Sequence, residues 1–207
     1  MFLIVTRAFP PELGGMQSLM WGLTKEMSKN FMIKVFADYQ ENHQEFDKNE
    51  NFSIERVGGI KFFRKIRKAQ LINEFLKENK VKGIIADHWK SLELIKTNQK
   101  KYCLIHGKEI NHSRGSSLNK RSLKVLNNVE KVIANSKFTK DLVIKNGVTS
   151  DKVFVINPGV KPAEELNNKS LEKVESLLKT KTPRLITVSR FDKRKNHEKV
   201  LMALRNL

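Results

Sequence analysis

Phe2-Leu-Ile-Val-Thr6-Arg7-Ala-Phe-Pro-Pro-Glu-Leu-Gly14-Gly15-Met16-Gln17-Ser18 opens the chain. Phe2 to Thr6 reads as a buried strand, and Met16, Leu19, Met20, Leu23 and Met27 then recur at helical spacing to near Asn30. The unit is strand, glycine-rich loop, helix. Two adjacent glycines at a helix start let the backbone approach a ligand closely, with its N–H groups aimed at it. A glycine pair is also compatible with an ordinary turn.

The same alternation repeats outward from this unit. Strands are expected at Phe31–Ala37, Ser53–Val57, Val81–Ala86, Lys101–Ile105, Glu130–Ala134 and Lys152–Ile156, with helical repeats between most of them. Tyr39–Asn51 is polar and aperiodic, which predicts a surface loop. Strands alternating with helices predict an α/β fold, a doubly wound and mostly parallel Rossmann-like sheet, with its crevice at the strands' carboxyl ends.

At the far end stands Arg184-Leu-Ile-Thr-Val-Ser-Arg190-Phe-Asp-Lys-Arg-Lys195-Asn-His197. It predicts a strand over Leu185–Val188, a basic turn, and a helix capped by Asn196, with Glu198 in its first turn. Arg190 can fork onto phosphate oxygens and Lys195 adds a point charge, so together they can hold a diphosphate. With 40 Lys and Arg among 207 residues, the turn also reads as a solvated basic loop.

The net charge of +18 attracts polyanions of any kind, whether nucleic acid, anionic lipid or a phosphorylated substrate. It also fits a lysine bias set by the source genome. The single cysteine, Cys103, can form no internal disulfide and sits in an expected strand, in keeping with a reducing cytoplasm. The apolar run directly after Met1 is too short for a signal peptide or a membrane span.

After Gly58-Gly59, the cations Lys61, Arg64, Lys65, Arg67 and Lys68 share a helix with an apolar face of Phe62, Ile66, Ala69, Ile72 and Leu76. This helix either covers the sheet with a solvated outer side or meets anionic lipid through Arg64, Lys65, Arg67 and Lys68. Asp87-His88-Trp89 ends a strand, where Asp87 can line a crevice or N-cap the helix that carries Leu92, Leu94 and Ile95. His106-Gly107-Lys108-Glu109 ends the next strand, and the loop after it, Asn111–Arg121, offers Arg114 as a cation. Ser136 is positioned to cap the helix Lys137–Lys145, which Asn146-Gly147 stops.

Four of these segments, in order, resemble family-4 retaining glycosyltransferases of the GT-B group, in the branch of the phosphatidylinositol mannosyltransferases. They are Phe9-Pro-Pro-Glu-Leu-Gly14-Gly15-Met-Gln17, His106-Gly-x-Glu109, Asn157-Pro-Gly159 and Arg190 with Lys195. The resemblance implies sugar transfer from a nucleotide-activated donor, GDP-mannose in the branch resembled, to an acceptor hydroxyl on a glycolipid or polysaccharide precursor. It also implies retention, no cofactor and no obligatory metal. By the same resemblance Gly14, Gly15, Gly159, Arg190 and Lys195 bind the donor, His106 orients the transferring sugar, and Gln17, Glu109 and Arg114 border the acceptor. Two departures stand out: Asn196 replaces the family's glycine after the lysine, and Lys161 stands where an acidic residue is common.

The expected domains are an acceptor-side domain over 1–160, a linker over 161–182, and the opening strand and helix of a donor domain over 183–207. No Glu-x7-Glu segment of such a donor domain is reached by Leu207, so the resemblance implies a fragment with weak or no activity unless another chain supplies the rest. The competing expectation is a non-enzymatic module that binds nucleic acid or anionic membrane through charge alone. For the transferase, the expected place is the cytoplasm, peripheral to the inner face of the membrane, with nucleic acid no partner.

Overall fold

The computed structural model describes residues 1–160, 167–179, 182, 184–189 and 191–205. The chain divides into two compact units, Met1–Val160 and Lys161–Leu207.

The first unit is built on seven strands, β1 (Phe2–Val5), β2 (Ile33–Asp38), β3 (Ser53–Val57), β4 (Gly83–Ala86), β5 (Lys101–Ile105), β6 (Lys131–Ala134) and β7 (Val153–Val155). Their order is β3-β2-β1-β4-β5-β6-β7, and every pair is parallel. Ile4 lies level with Val35 on one side and Ile85 on the other. Successive side chains of a strand face opposite ways. Leu3 and Val5 accordingly enter one core with Phe36, Ile72 and Trp89, while Ile4 enters the other with Phe9, Met20 and Val35. Burial on both faces explains why these strands read as continuous apolar runs rather than alternating ones.

Helices α1 (Gly15–Ser28), α2 (His43–Lys48), α3 (Lys61–Glu78), α4 (Trp89–Leu92), α5 (Ser117–Asn127) and α6 (Lys137–Lys145) connect or cover the strands. Ser136 caps α6 by accepting from the Thr139 amide at 3.2 Å, and Gly147 leaves the helix with a φ of 107° that favours glycine.

Several expectations need correction. The segment Tyr39–Asn51 is not all loop, because α2 forms within it. Tertiary contacts supply what periodicity lacked: Asp47 accepts from Arg56 Nη2 and Nε at 2.7 and 3.1 Å, and Phe46 packs edge-on against Phe9 and Trp21. The helix after β4 is a single turn that stops before Leu94. Its cap is His88, whose Nδ1 accepts from the Lys90 amide at 2.9 Å, so Asp87 does not cap it. On α3, Phe62 is 69% exposed and Lys68 only 4% exposed, so the buried stripe is rotated from the one expected. The cause is an ion pair with Asp38 that draws Lys68 inward.

The second unit contains α7 (Asn168–Leu178), a 3-10 turn at Lys193–Lys195 and α8 (His197–Leu204). Residues 184–189 form no strand; a strand needs a ladder partner, and here Ile186 and Val188 are exposed. Asn196 makes no capping bond and instead takes up a left-handed conformation, φ 55°. Ser189 Oγ lies 3.1 Å from His197 Nε2, and the Phe191 ring is 5.0 Å from that of His197. Arg190, Pro183 and Lys161 lie outside the described residues.

Candidate functional site

The chain leaves β1 in both directions across the sheet, toward β2 and β3 on one side and toward β4 on the other. A crevice therefore opens outside the carboxyl ends of β1 and β4, where a doubly wound sheet receives its ligand. Thr6 and Arg7 follow β1, Asp38 ends β2, Asp87 and His88 follow β4, and His106 follows β5.

Asp87 is 3% exposed and ties two of these ends together. Its Oδ2 accepts from Thr6 Oγ1 at 2.8 Å and the Arg7 amide at 3.0 Å, and its Oδ1 from Ser91 Oγ at 3.0 Å. Lys68 does the same for β1 and β2, donating to the Thr6 carbonyl at 2.7 Å and to Asp38 Oδ1 at 2.6 Å. Burial lowers the Lys68 pKa, and Asp38 works against that shift. Arg64 adds an ion pair to Asp38 Oδ2 at 3.2 Å.

The loop that carries the glycine pair is pinned from β3. The Arg56 side chain, 3% exposed, pairs with Asp47, donates to the Pro10 carbonyl at 2.5 Å and lies 5.6 Å from the centre of the Phe9 ring. Helix α1 then begins with no side-chain cap and no acidic residue in its first turn. Its Ser18 amide bonds the Gly14 carbonyl at 2.9 Å, which places the amides of Gly15, Met16 and Gln17 ahead of the helical ladder, where an anion can meet them. Open space surrounds the position a Cβ would occupy at Gly15. At Gly14 a Cβ would collide with the amide oxygen of Gln17, whose side chain folds back over the loop.

Beyond β5, the His106 amide donates to the Glu109 carboxylate, and the Glu109 carbonyl accepts from Trp89 Nε1 at 2.8 Å. Glu109 thus closes the turn that presents His106. The Nε2 atoms of His106 and His112 are buried without a hydrogen-bond partner among the described residues. Both rings are near enough to His88 to depress its pKa, which falls to about 3 through burial first, then Arg7, Lys90 and the two histidines. His88 is therefore neutral at ordinary pH. Because its Nδ1 accepts, its proton sits on Nε2.

The carboxyl edge of this one sheet collects Gly14, Gly15, Gln17, His106 and Glu109. Arg114 is exposed on the loop after them, and Gly159 is exposed in the tail beyond β7. Lys195 belongs to the other unit, exposed at the end of its 3-10 turn. Of the four cations expected to meet lipid, Arg64, Lys65 and Lys68 are held in ion pairs, and Arg67 is exposed without one among the described residues. Reading the sequence missed Arg7, Lys90 and His112, and it undervalued Asp87 and His88. Arg7, Asp87 and His88 do carry a signal, since each lies within two residues of the end of an apolar strand; Lys90 and His112 carry none. Among the described residues no three His, Cys, Asp or Glu side chains converge to hold a metal ion, and no helix is long and apolar enough to cross a membrane.

The seven-stranded parallel sheet, with its crevice at this switch point, matches the fold of the N-terminal half of GT-B glycosyltransferases. Residues 13–164 match the model of Glycosyltransferase Family 4, and the chain belongs to that family. The fold is shared with a glycosyltransferase from Rickettsia africae, at 21% identity and a TM-score of 0.64 over 88% of this chain and 50% of that one. HepE from Anabaena, solved with UDP-glucose, aligns at 13% identity and a TM-score of 0.61 over 86% of this chain and 50% of its own. Sucrose-phosphate synthase from Thermosynechococcus elongatus aligns at 16% identity and a TM-score of 0.68 over all of this chain and 59% of its own. The chain thus spans about half the length of the first two and somewhat more of the third. No curated protein matches the sequence.

Proposed function

We propose that this chain supplies the acceptor-side half, and the start of the donor-side half, of a retaining hexosyltransferase that uses a nucleoside diphosphate sugar. The observation that carries the reading is that the family match spans the uncapped Gly14-Gly15 helix start and the His106 turn, which stand at one edge of one sheet. HepE, solved with UDP-glucose, supports a nucleotide-sugar donor.

In this reading the acceptor hydroxyl oxygen bonds to the anomeric carbon as the bond to the diphosphate breaks, and the hydroxyl proton leaves with the diphosphate. Amides of α1 face the departing charge, and Arg190 and Lys195 add cationic stabilisation in place of a metal, each worth on the order of 10²-fold in rate. His106 orients the sugar. No protein nucleophile is needed. Mannose from GDP-mannose is the donor proposed for the branch that the sequence resembles.

The test is release of nucleoside diphosphate from a panel of sugar nucleotides by the gene's natural product. His106→Ala and Lys195→Ala should each lower the rate about 100-fold, while Lys77→Gln, an exposed cation at the far end of α3, should not. Equal losses from all three would favour a module that acts by charge alone.

We also propose a peripheral membrane contact on the cytoplasmic face, made by the start of α3. Ile60, Phe62 and Phe63 are 75%, 69% and 65% exposed there, beside Lys61 and Arg67. Co-sedimentation with anionic vesicles that survives Phe62→Ser/Phe63→Ser would refute it.

A further inference from the structure

We infer that the amino-terminal edge of the sheet carries an anion-binding cleft, at Lys96, Lys101 and Lys152, for a small soluble polyol with two phosphate groups. The cleft lies within Met1–Val160, at the opposite ends of the strands from the glycine loop and His106. It does not rest on the transferase reading.

Three segments build it: 95–101 leading into β5, 127–130 leading into β6, and Lys152 just before β7. Because β5, β6 and β7 are adjacent and parallel, their entrances share one edge. The Glu130 amide donates to the Lys101 carbonyl at 2.8 Å, and Lys152 Nζ donates to the carbonyls of Asn127 and Val129 at 2.6 and 3.3 Å. The segments are thus tied to one another. They enclose about 880 Å³, within the roughly 300–1,000 Å³ of small-molecule sites.

Four lysines line this cleft against one carboxylate. That carboxylate, Glu130, is exposed and pairs with Lys100 at 3.6 Å. Among the described residues Lys96, Lys101 and Lys152 have no ion-pair partner. Lys101 is half-buried, its Nζ meets the Thr97 carbonyl at 3.4 Å, and burial lowers its pKa. An ammonium withdrawn from water without a carboxylate costs free energy, and a bound anion offsets that cost. Lys152, by covering Asn127, offsets the partial negative charge at the end of α5, and its third N–H remains for a ligand.

The spacing selects two phosphates. Lys101 opens β5 and Lys152 precedes β7, two strand spacings or about 10 Å away along the edge. Among the described residues no aromatic side chain lines the cleft, so a nucleobase has no ring to stack on. Hydroxyls do find partners. The Gln99 side chain is fixed by accepting from the Val81 amide at 2.6 Å and that of Asn127 by accepting from the Thr149 amide at 3.2 Å. Each side-chain amide spends one N–H on a carbonyl and keeps the other for a ligand oxygen.

Amide chemical-shift mapping on the full chain at physiological salt tests this, with fructose 1,6-bisphosphate as the probe and fructose in parallel. Shifts are expected at residues 96–101 and 127–130 with the bisphosphate only. Lys96→Gln and Lys101→Gln should each weaken its binding about 10-fold or more, with Lys77→Gln as the unaffected control. Lys96 is exposed, so its substitution reads binding rather than folding, and Lys152 stays intact because its bonds hold the end of α5.

Shifts confined to residues 14–17 would place the phosphates at the glycine loop and overturn the inference. Equal responses to fructose, or equal losses from Lys77→Gln, would overturn it too. So would a single-stranded oligonucleotide or phosphatidylglycerol vesicles that bind through Lys96 and Lys101 when the bisphosphate does not, since these lysines would then serve a macromolecular polyanion. Sugar transfer occurs at the other edge of the sheet in the transferase reading, so these outcomes leave that reading where it stands.

Discussion

Asn196 stands where the resembled family keeps a glycine, and its φ of 55° shows why: the chain turns into α8 through a left-handed residue. Asparagine tolerates that region better than other side chains, for which it costs about 1–2 kcal/mol. Asn196→Ala should accordingly speed hydrogen exchange in the first turn of α8 by about 5-fold or more, and Asn196→Gly should not; equal rates in both would refute the strain argument. His88 makes the second prediction at this scale. Its folded pKa of about 3 lies below its ordinary 6.5, so between those values the unfolded chain binds the proton first. Stability is fully present above pH 6.5 and is lost as the pH falls toward 3. His88→Asn should flatten that limb in urea melts run across pH, and an unchanged slope would show that His88 does not titrate this way.

Helix α2 exists because of its neighbours. Its six residues have neither the length nor the periodicity to announce a helix, and Arg56 from β3 holds it through Asp47 while bracing the glycine loop at Pro10. Arg56→Ala removes one partner of a buried ion pair, a change that costs about 3–5 kcal/mol. Urea denaturation should show that loss, with hydrogen exchange rising first in α2 and in residues 7–14. Uniform loosening of the sheet would instead mean that the loop is not specially dependent on Arg56. At the same scale α3 keeps its amphipathic plan but turns its charges differently, committing Arg64, Lys65 and Lys68 to Asp38 and Glu93 and leaving two aromatic rings in solvent at its start.

For the whole molecule the division at Val160 carries the main consequence. Met1–Val160 contains all seven strands and both cores, and 160 residues is an ordinary size for a domain that folds alone. A fragment ending at Val160 should unfold in one cooperative transition, with a midpoint within a few degrees of the first transition of the full chain. A broad, probe-dependent transition would show that the sheet depends on residues beyond Val160. The net charge of +18 adds self-repulsion, so moderate salt should raise that midpoint.

Local pattern determined much of this protein. Continuous apolar runs are buried between two layers of helices, so the parallel doubly wound sheet, the glycine pair at the start of α1 and the Ser136 cap were all legible in the sequence. The family was legible in the order of its motifs. The tertiary structure decided the features that depend on residues far apart in the chain: Lys68 leaving the solvent face for Asp38, Arg56 folding α2, and His88, Lys90 and His112 meeting around Trp89. Charge pairing and imidazole clustering have no period along a chain. They arise only when the carboxyl ends of β1, β4 and β5 are brought side by side, and that juxtaposition is a property of the sheet.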